Sequence, residues 1–435
     1  MIVLALETSC DETAAALLEV AEGREGAETD RLTAGTLRTL RGTLREGEGD
    51  QEPRSRRDAT APASSTSNQE HVEGFPTTRV LSDVVASQIE EHAPYGGVVP
   101  ELASRRHLTA ILPVIRRALA DAGRTLDDVQ ALAVTAGPGL IGSLLIGIQA
   151  AKAIAHAKRL PLIGVNHLAA HLLSSHLRRS SPDVAAPVSP GPPSSQRPSQ
   201  RPQRLSGKSA GLRALLSPPL PPLPSVPSFP YVGLVVSGGH TALYAVWGLE
   251  RFAQLAATRD DAAGEAFDKV GKLLGLPYPG GPAIDAAAAG IEPGDLRFPR
   301  GLDRKDTLDF SFSGLKTAVA DRLRARREPP DPDEVRRVAA AFQESVVASL
   351  VKKSLQACER LGIPRLTLGG GVAANRGLRR SMAEACRTAG VELYLPARSD
   401  CTDNAAMVGL AAAPRLLRGE DDGGSLAARS SWPIG

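Results

Sequence analysis

Two apolar runs separated by a short polar turn open this chain, and the same layout returns past its middle. MIVLALETS, the turn Cys10 to Thr13 and AAALLEV form the first set; PYVGLVVSGG and HTALYAVW form the second. Runs of this length and β-rich composition predict strands. Two halves that open alike predict a duplicated α/β architecture of two lobes with a ligand cleft between them. The expected lobes are residues 1–165 and 166–435, with a C-terminal helix that packs back on the first.

Two stretches stand apart from this plan. Residues 21–79 are rich in Arg, Glu, Gly, Thr and Ser, and residues 178–228 carry dense Pro, Ser and Arg. Such composition offers too little apolar surface to offset the entropy of ordering a chain, and dense proline excludes helix and central strand. Both are expected to be disordered insertions. Without them the chain has roughly 320–330 residues, enough for about two domains.

The rest alternates between strands and helices. RRHLTAILPVIRRALADAG has helical apolar spacing and stops at Gly123. ALAVTA predicts a strand, SLLIGIQAAKAIAHA a helix, and PLIGV a strand that feeds a helix near Asn166. DEVRRVAAAFQESVVASLVKKSLQACERLG predicts a long amphipathic helix, followed by the strand RLTLGGG and a helix from Asn375.

Bulk properties exclude several classes. A formal net charge of +3 does not announce a nucleic-acid binder, although phosphate binding depends on local patches rather than on totals. No run of about eighteen apolar residues occurs, so no membrane span is expected. The start lacks a basic leader and reaches Glu7 and Asp11 at once. Cys10, Cys358, Cys386 and Cys401 show no CxxC spacing and read as reduced thiols. The cytoplasm is the expected compartment.

Four segments carry chemistry. Val236-Ser237-Gly238-Gly239-His240 can turn backbone N–H groups toward a phosphate; a tight hairpin turn is the competing reading. Gly369-Gly370-Gly371, between a strand and a helix, places N–H groups and a positive dipole end together, which favours a nucleotide. Asp261 to Lys269, with Asp268, and Tyr278 to Asp285, with Gly281, can serve ribose hydroxyls or a metal; an exposed acidic helix is the plainer reading. His167 and His171, at i and i+4, present two imidazoles on one helix face. With eight histidines in the chain such a pair also arises by chance. Asp403 is the natural third ligand, and the mixture suits iron, zinc or manganese.

Two familiar patterns fail. Gly137-Pro138-Gly139-Leu140-Ile141-Gly142 matches GxGxxG but lacks the acidic residue expected about twenty positions on. These glycines read as a turn and close helix packing. Leu168 stands where a zinc protease needs its Glu, and no P-loop occurs.

Taken in order, ALETSCDET, SQIEEHAPYGGVVPELASRRH, TAGPGLIGSLLIG, NHLAAH, LVVSGGHT, DDAAGEAFDKVGKLLGLPYPGGP, DFSFSGLKTA, GGGVAANRGLR and CTDNAAM resemble the blocks of the tRNA N6-adenosine threonylcarbamoyltransferase family. They span Ile2 to about Arg415 apart from the two insertions. The resemblance implies an actin/sugar-kinase/heat-shock-ATPase-like fold. It also implies transfer of threonylcarbamoyl from threonylcarbamoyl-AMP to the exocyclic amine of the adenosine 3′-adjacent to the anticodon, in tRNAs reading codons that begin with A. It implies one divalent metal per subunit, iron(II) by family habit, on His167, His171 and Asp403. The acyl-adenylate would lie on Val236, Ser237, Gly238, Gly239, His240, Asp268, Gly281, Asp285 and Asn375. Implied partners are tRNA, a paralogous inactive subunit, a P-loop ATPase subunit and a separate enzyme making the adenylate.

No residue is singled out as general base; Asp11 and Glu12 in the first hairpin turn are the candidates, against a purely turn-forming role. The second insertion departs from the family pattern and carries Arg178, Arg179, Arg197, Arg201, Arg204 and Lys208 against Asp183. A solvated linker is the preferred reading over a tRNA contact. The competing functions are a kinase or ATPase in the same cleft, a metallopeptidase, and a non-enzymatic scaffold for tRNA modification.

Overall fold

The structure, a computed structural model, describes residues 1–23, 76–179, 226–304, 306–325 and 328–434. The expected insertions, 21–79 and 178–228, lie outside the described residues except at their edges. Most of the described chain, Met1–Ala21 and Thr78–Gly435, forms one compact unit.

That unit is built on one strand plan used twice. β1 (Ile2–Glu7) and β2 (Glu12–Ala21) form an antiparallel hairpin, in register from Ile2↔Glu19 to Glu7↔Ala14. β3 (Thr77–Ser87) lies beyond β2, while β4 (Ala131–Gly137) runs parallel to β1 and β5 (Leu162–Asn166) parallel to β4. The order is β3-β2-β1-β4-β5.

In the second sheet β6 (Tyr231–Val236), β7 (Thr241–Gly248) and β8 (Arg251–Ala257) form an antiparallel meander. β9 (Arg365–Gly369) then runs parallel to β6, and β10 (Glu392–Tyr394) parallel to β9. The order β8-β7-β6-β9-β10 repeats the first sheet strand for strand. β1 and β6 are central and almost wholly buried, as their apolar runs require.

Helices cover the sheets according to strand alternation. Leu4, Leu6 and Leu17 face a core shared with α1 (Pro100–Asp121) and α2 (Ile141–Lys158). Close packing there uses glycine: a Cβ at Gly142 of the GxGxxG pattern would press on Ser104 of α1, while one at Gly139 would strike the Ser9 backbone. On the opposite face, Ala5 and Leu18 meet Gly409 of α9 (Ala405–Leu417), which lies across β1, β2, β4 and β5.

The second sheet buries Val232, Leu234 and Leu366 against α4 (Ala263–Leu273), α6 (Ser313–Arg324), α7 (Pro332–Leu361) and α8 (Arg376–Ala389). Aromatics are only 3% of the chain, so this core is mainly aliphatic, with Phe267 edge-on to Phe342 at 5.2 Å between ring centroids. Its other face receives α3 (His167–Leu173), whose Leu168 and Leu172 pack with Tyr231, Val235 and Tyr244.

Candidate active site

α3 follows β5 directly, and Asn166 starts it. The Asn166 side chain accepts hydrogen bonds from the N–H groups of Leu168 (2.9 Å) and Ala169 (3.2 Å), while its amide donates to the Trp432 carbonyl at 2.8 Å. Both ends of the amide are used, so the first turn of α3 is fixed at the position where His167 projects.

His167, His171 and Asp403 come together: one ligand atom from each lies within 4.8 Å of the others. Asp403 Oδ1 is 3.0 Å from His171 Nε2 and 3.5 Å from His167 Nε2. The two rings stand edge to face at 4.6 Å. On its far side His167 Nδ1 lies 3.1 Å from Glu7 Oε2 and 3.2 Å from Ser9 Oγ. Glu7 also accepts from Thr135 Oγ1 at 2.6 Å.

The donor set fits a metal. Two imidazoles and a carboxylate suit a borderline transition ion. Glu7 occupies the outer position from which a carboxylate fixes a ligating histidine's tautomer, leaving Nε2 to face inward. His171 Nδ1 is buried without a hydrogen-bond partner among the described residues.

The charges respond to one another strongly. Burial opposes the charged imidazolium of His167, but Asp403 and Glu7 outweigh it and hold that ring up to about 9. Burial and the neighbouring His167 push His171 below the usual histidine range. Asp403 is raised by burial and lowered more by His167 and His171, and ends well below the usual carboxylate range. A proton on His167 thus does the work of a cation.

The glycine segments converge beside this cluster. Residues 237–240 form the β6–β7 turn, closed by Ser237 N–H to the His240 carbonyl at 2.8 Å. The segment is therefore a hairpin turn, and Gly238 and Gly239 still have open space where a Cβ would point. Burial, then His167 and His171, lower His240 to about 4, which puts it in electrostatic reach of the cluster. At the end of β9, a Cβ on Gly369 would strike the His171 carbonyl oxygen, and one on Gly370 the carbonyl of Val236. Gly370 has φ +89°, a conformation only glycine adopts freely.

Asp268 accepts from the Gly280 N–H at 2.7 Å, at the start of α5 (Gly280–Ala287); burial, opposed by Gly280 and Gly281, raises it to about 6. Gly281 faces open space. Asn375 accepts from Leu378 N–H at 2.8 Å and donates to Gln343 at 2.8 Å, so it caps α8. Asp285 sits in an ion pair with Arg376 at 2.7 Å. A cavity of about 260 Å³, lined by Gln343, Glu344, Gly377 and Arg380 among others, has none of the candidate residues in its lining.

Asp11 lies in the β1–β2 turn and Glu12 begins β2. The turn is held by Gln88 N–H to the Asp11 carbonyl (3.1 Å), by His107 Nε2 to the Cys10 carbonyl (3.0 Å) and by Thr13 Oγ1 to His107 Nδ1 (2.8 Å). Burial, then Asp11 and Asp403, push the Glu12 carboxyl well above its ordinary range.

Sequence reading had missed Glu7, although a carboxylate ending an otherwise apolar strand was its signal. It had also counted Arg179 with the solvated linker. In the structure Arg179 is instead ion-paired to Asp83 and Asp400. Arg197, Arg201, Arg204, Lys208 and Asp183 lie outside the described residues.

A doubled β3-β2-β1-β4-β5 sheet defines an α/β protein of the actin/sugar-kinase/heat-shock-ATPase-like type, here with a His/His/Asp cluster beside its glycine turns. The family model described as tRNA N6-adenosine threonylcarbamoyltransferase, TsaD, matches residues 79–192 and 213–410. A protein of that description from Sorangium cellulosum is 48% identical over 79% of this chain and 87% of its own. One from Geobacter metallireducens is 45% identical over 82% and 91%. One from Anaeromyxobacter sp. Fw109-5 is 40% identical over the whole of both. The chain belongs to the tRNA N6-adenosine threonylcarbamoyltransferase family and is a transferase. No helix of the described residues is long and apolar enough to cross a membrane.

Proposed function

We propose that this enzyme transfers the threonylcarbamoyl group of threonylcarbamoyl-AMP to N6 of the adenosine 3′-adjacent to the anticodon, in tRNAs reading codons that begin with A. The observation that carries the proposal is the direct packing of the glycine segment after β9 on the helix that bears His167 and His171. An adenylate held by the first would present its acyl end to the second.

His167, His171 and Asp403 are assigned to one divalent ion, iron(II) by family resemblance. Bound there, it would supply Lewis acidity toward the carbamoyl or threonyl oxygens. The remaining roles belong to the chain. Residues 236–240, with Gly281, lay N–H groups along the AMP half. Asp268, Asp285 and Asn375 stand at its ribose and base end, where Arg376 must yield Asp285 or share it.

In the transfer, the adenosine nitrogen forms a bond to the carbamoyl carbon. The bond from that carbon to the phosphate oxygen breaks, AMP leaves, and the amine proton passes to a base. The amine is a weak nucleophile, so orientation and stabilisation of developing charge dominate. Asp11 and Glu12 are assigned to the proton. Burial, then the neighbouring Asp11, push the Glu12 carboxyl up. We place the enzyme in the cytoplasm, working with a paralogous inactive subunit and a P-loop ATPase subunit.

The test is transfer of labelled threonine from threonylcarbamoyl-AMP to unmodified tRNA, with partner subunits present and bound metal quantified. Transfer by wild type that His167→Ala/His171→Ala loses together with the metal supports the reading. No transfer by folded, metal-loaded wild type refutes it.

A further inference from the structure

We propose that Arg179 is a positioning residue that presets Asp403 for the cation, an inference that rests on the metal reading above. The two histidines sit on a rigid, capped helix. Asp403 does not: it belongs to the irregular stretch between the short turn 398–400 and α9. Asn404 pins the α9 end of that stretch, donating to the Thr402 carbonyl and accepting from the Met407 N–H, and Arg179, from the chain that continues α3, holds its other end at Asp400.

The guanidinium donates from Nε to Asp400 Oδ1 at 2.6 Å, and Nη2 reaches the same oxygen at 2.5 Å. Nη2 also donates to Asp83 Oδ2 of β3 at 2.5 Å. Both carboxylates are 4% exposed and Arg179 25%. A guanidinium fork suits two acceptors held at fixed angles, which an ammonium does not match.

Asp400 lies three residues before Asp403, and Arg179 eight residues after His171. The same two chain segments are thus joined twice, once through the ligand cluster and once through Arg179. The second link uses none of the ligand atoms, so binding a cation leaves it in place. Asp83 fastens both to the edge strand of the first sheet. Supporting residues around a metal site commonly change its affinity by about 10–100-fold, and the brace is expected to act in that range.

The experiment measures zinc(II) affinity of the metal-stripped full chain by competition with a chromophoric chelator, with folding checked by circular dichroism. Arg179→Ala and Asp400→Asn are each expected to weaken zinc binding about 10–100-fold, with Arg179→Lys in between. Removing one partner leaves buried charge unpaired and is strongly destabilising. The uncharged triple variant Asp83→Asn/Arg179→Met/Asp400→Asn therefore covers the case in which a single variant does not fold, and it is expected to show the same weakening. Wild-type zinc affinity in any folded variant lacking the fork overturns the brace. If wild type binds zinc no better than His167→Ala/His171→Ala, the metal reading itself fails, and the brace with it.

Discussion

At the scale of residues, the cluster behaves as a cation site already filled by a proton. His167 is held up to about 9 because Asp403 and Glu7 outweigh burial. A folded-state value above the ordinary 6.5 contributes stability that is complete below that pH and fades as pH rises through about 9. A metal must expel this proton, since only the neutral ring can ligate. Zinc binding at pH 7.5 is therefore expected to release about one proton, dwindling at pH 10. Calorimetry in buffers of different ionisation enthalpy reads that number directly, and Glu7→Gln should reduce it. Release that does not change with pH would argue against His167 as the charged partner. Gly370 makes a second residue-scale case. Its φ of +89° and its closeness to Val236 predict that Gly370→Ala costs about 2 kcal/mol in urea unfolding.

At the scale of elements, the sequence was legible where periodicity and punctuation agreed. The hairpin strands, α1 with Gly123, α2, β5 and the long α7 all stand where their apolar spacing put them. β8 escaped because RFAQLAA is half-exposed and its alternation weak. α9 offers no stripe to read: AAMVGLAAAPRLL is buried nearly all round and holds a proline, so no face stands out. The His167–His171 pair was legible because i, i+4 spacing is a local signal; Asp403, 232 residues from His171, carries no such signal. Arg179 was not, because nothing local distinguishes a paired arginine from a solvated one at the edge of a basic, proline-rich stretch. The cap on α3 yields a prediction here. Asn166→Ala removes an N-cap worth about 1 kcal/mol and frees the turn bearing His167, so thermal stability and zinc affinity should both fall. Asn166→Asp keeps the acceptor for Leu168 and Ala169 but not the donor to Trp432, and should recover most of the stability.

At the scale of the whole molecule, the cluster is a joint between the two sheets. Asp403 lies just before Asn404, the cap of α9, which lies on the first sheet, and Glu7 ends β1 of that sheet. α3 carries its leucines against the second sheet, and its His171 carbonyl touches Gly369 at the end of β9. A cation on His167, His171 and Asp403 would therefore clamp one sheet to the other, while α7 lies on the opposite face of the second sheet from α3 and α8 reaches the Asp403 segment at Cys401 through Arg379. Local opening free energies follow such contacts, and a ligand bound only to the native state stabilises by mass action, by about 4 kcal/mol at a thousand times Kd. Stripping the metal should then raise amide exchange together in α3, in the first turn of α9 and at the end of β1, with α7 little changed. Hydrogen-exchange mass spectrometry of loaded and stripped protein separates this from a uniform loss of protection. A uniform loss would mean that the ion supports the fold at large, and the view of the site as a joint would have to be given up.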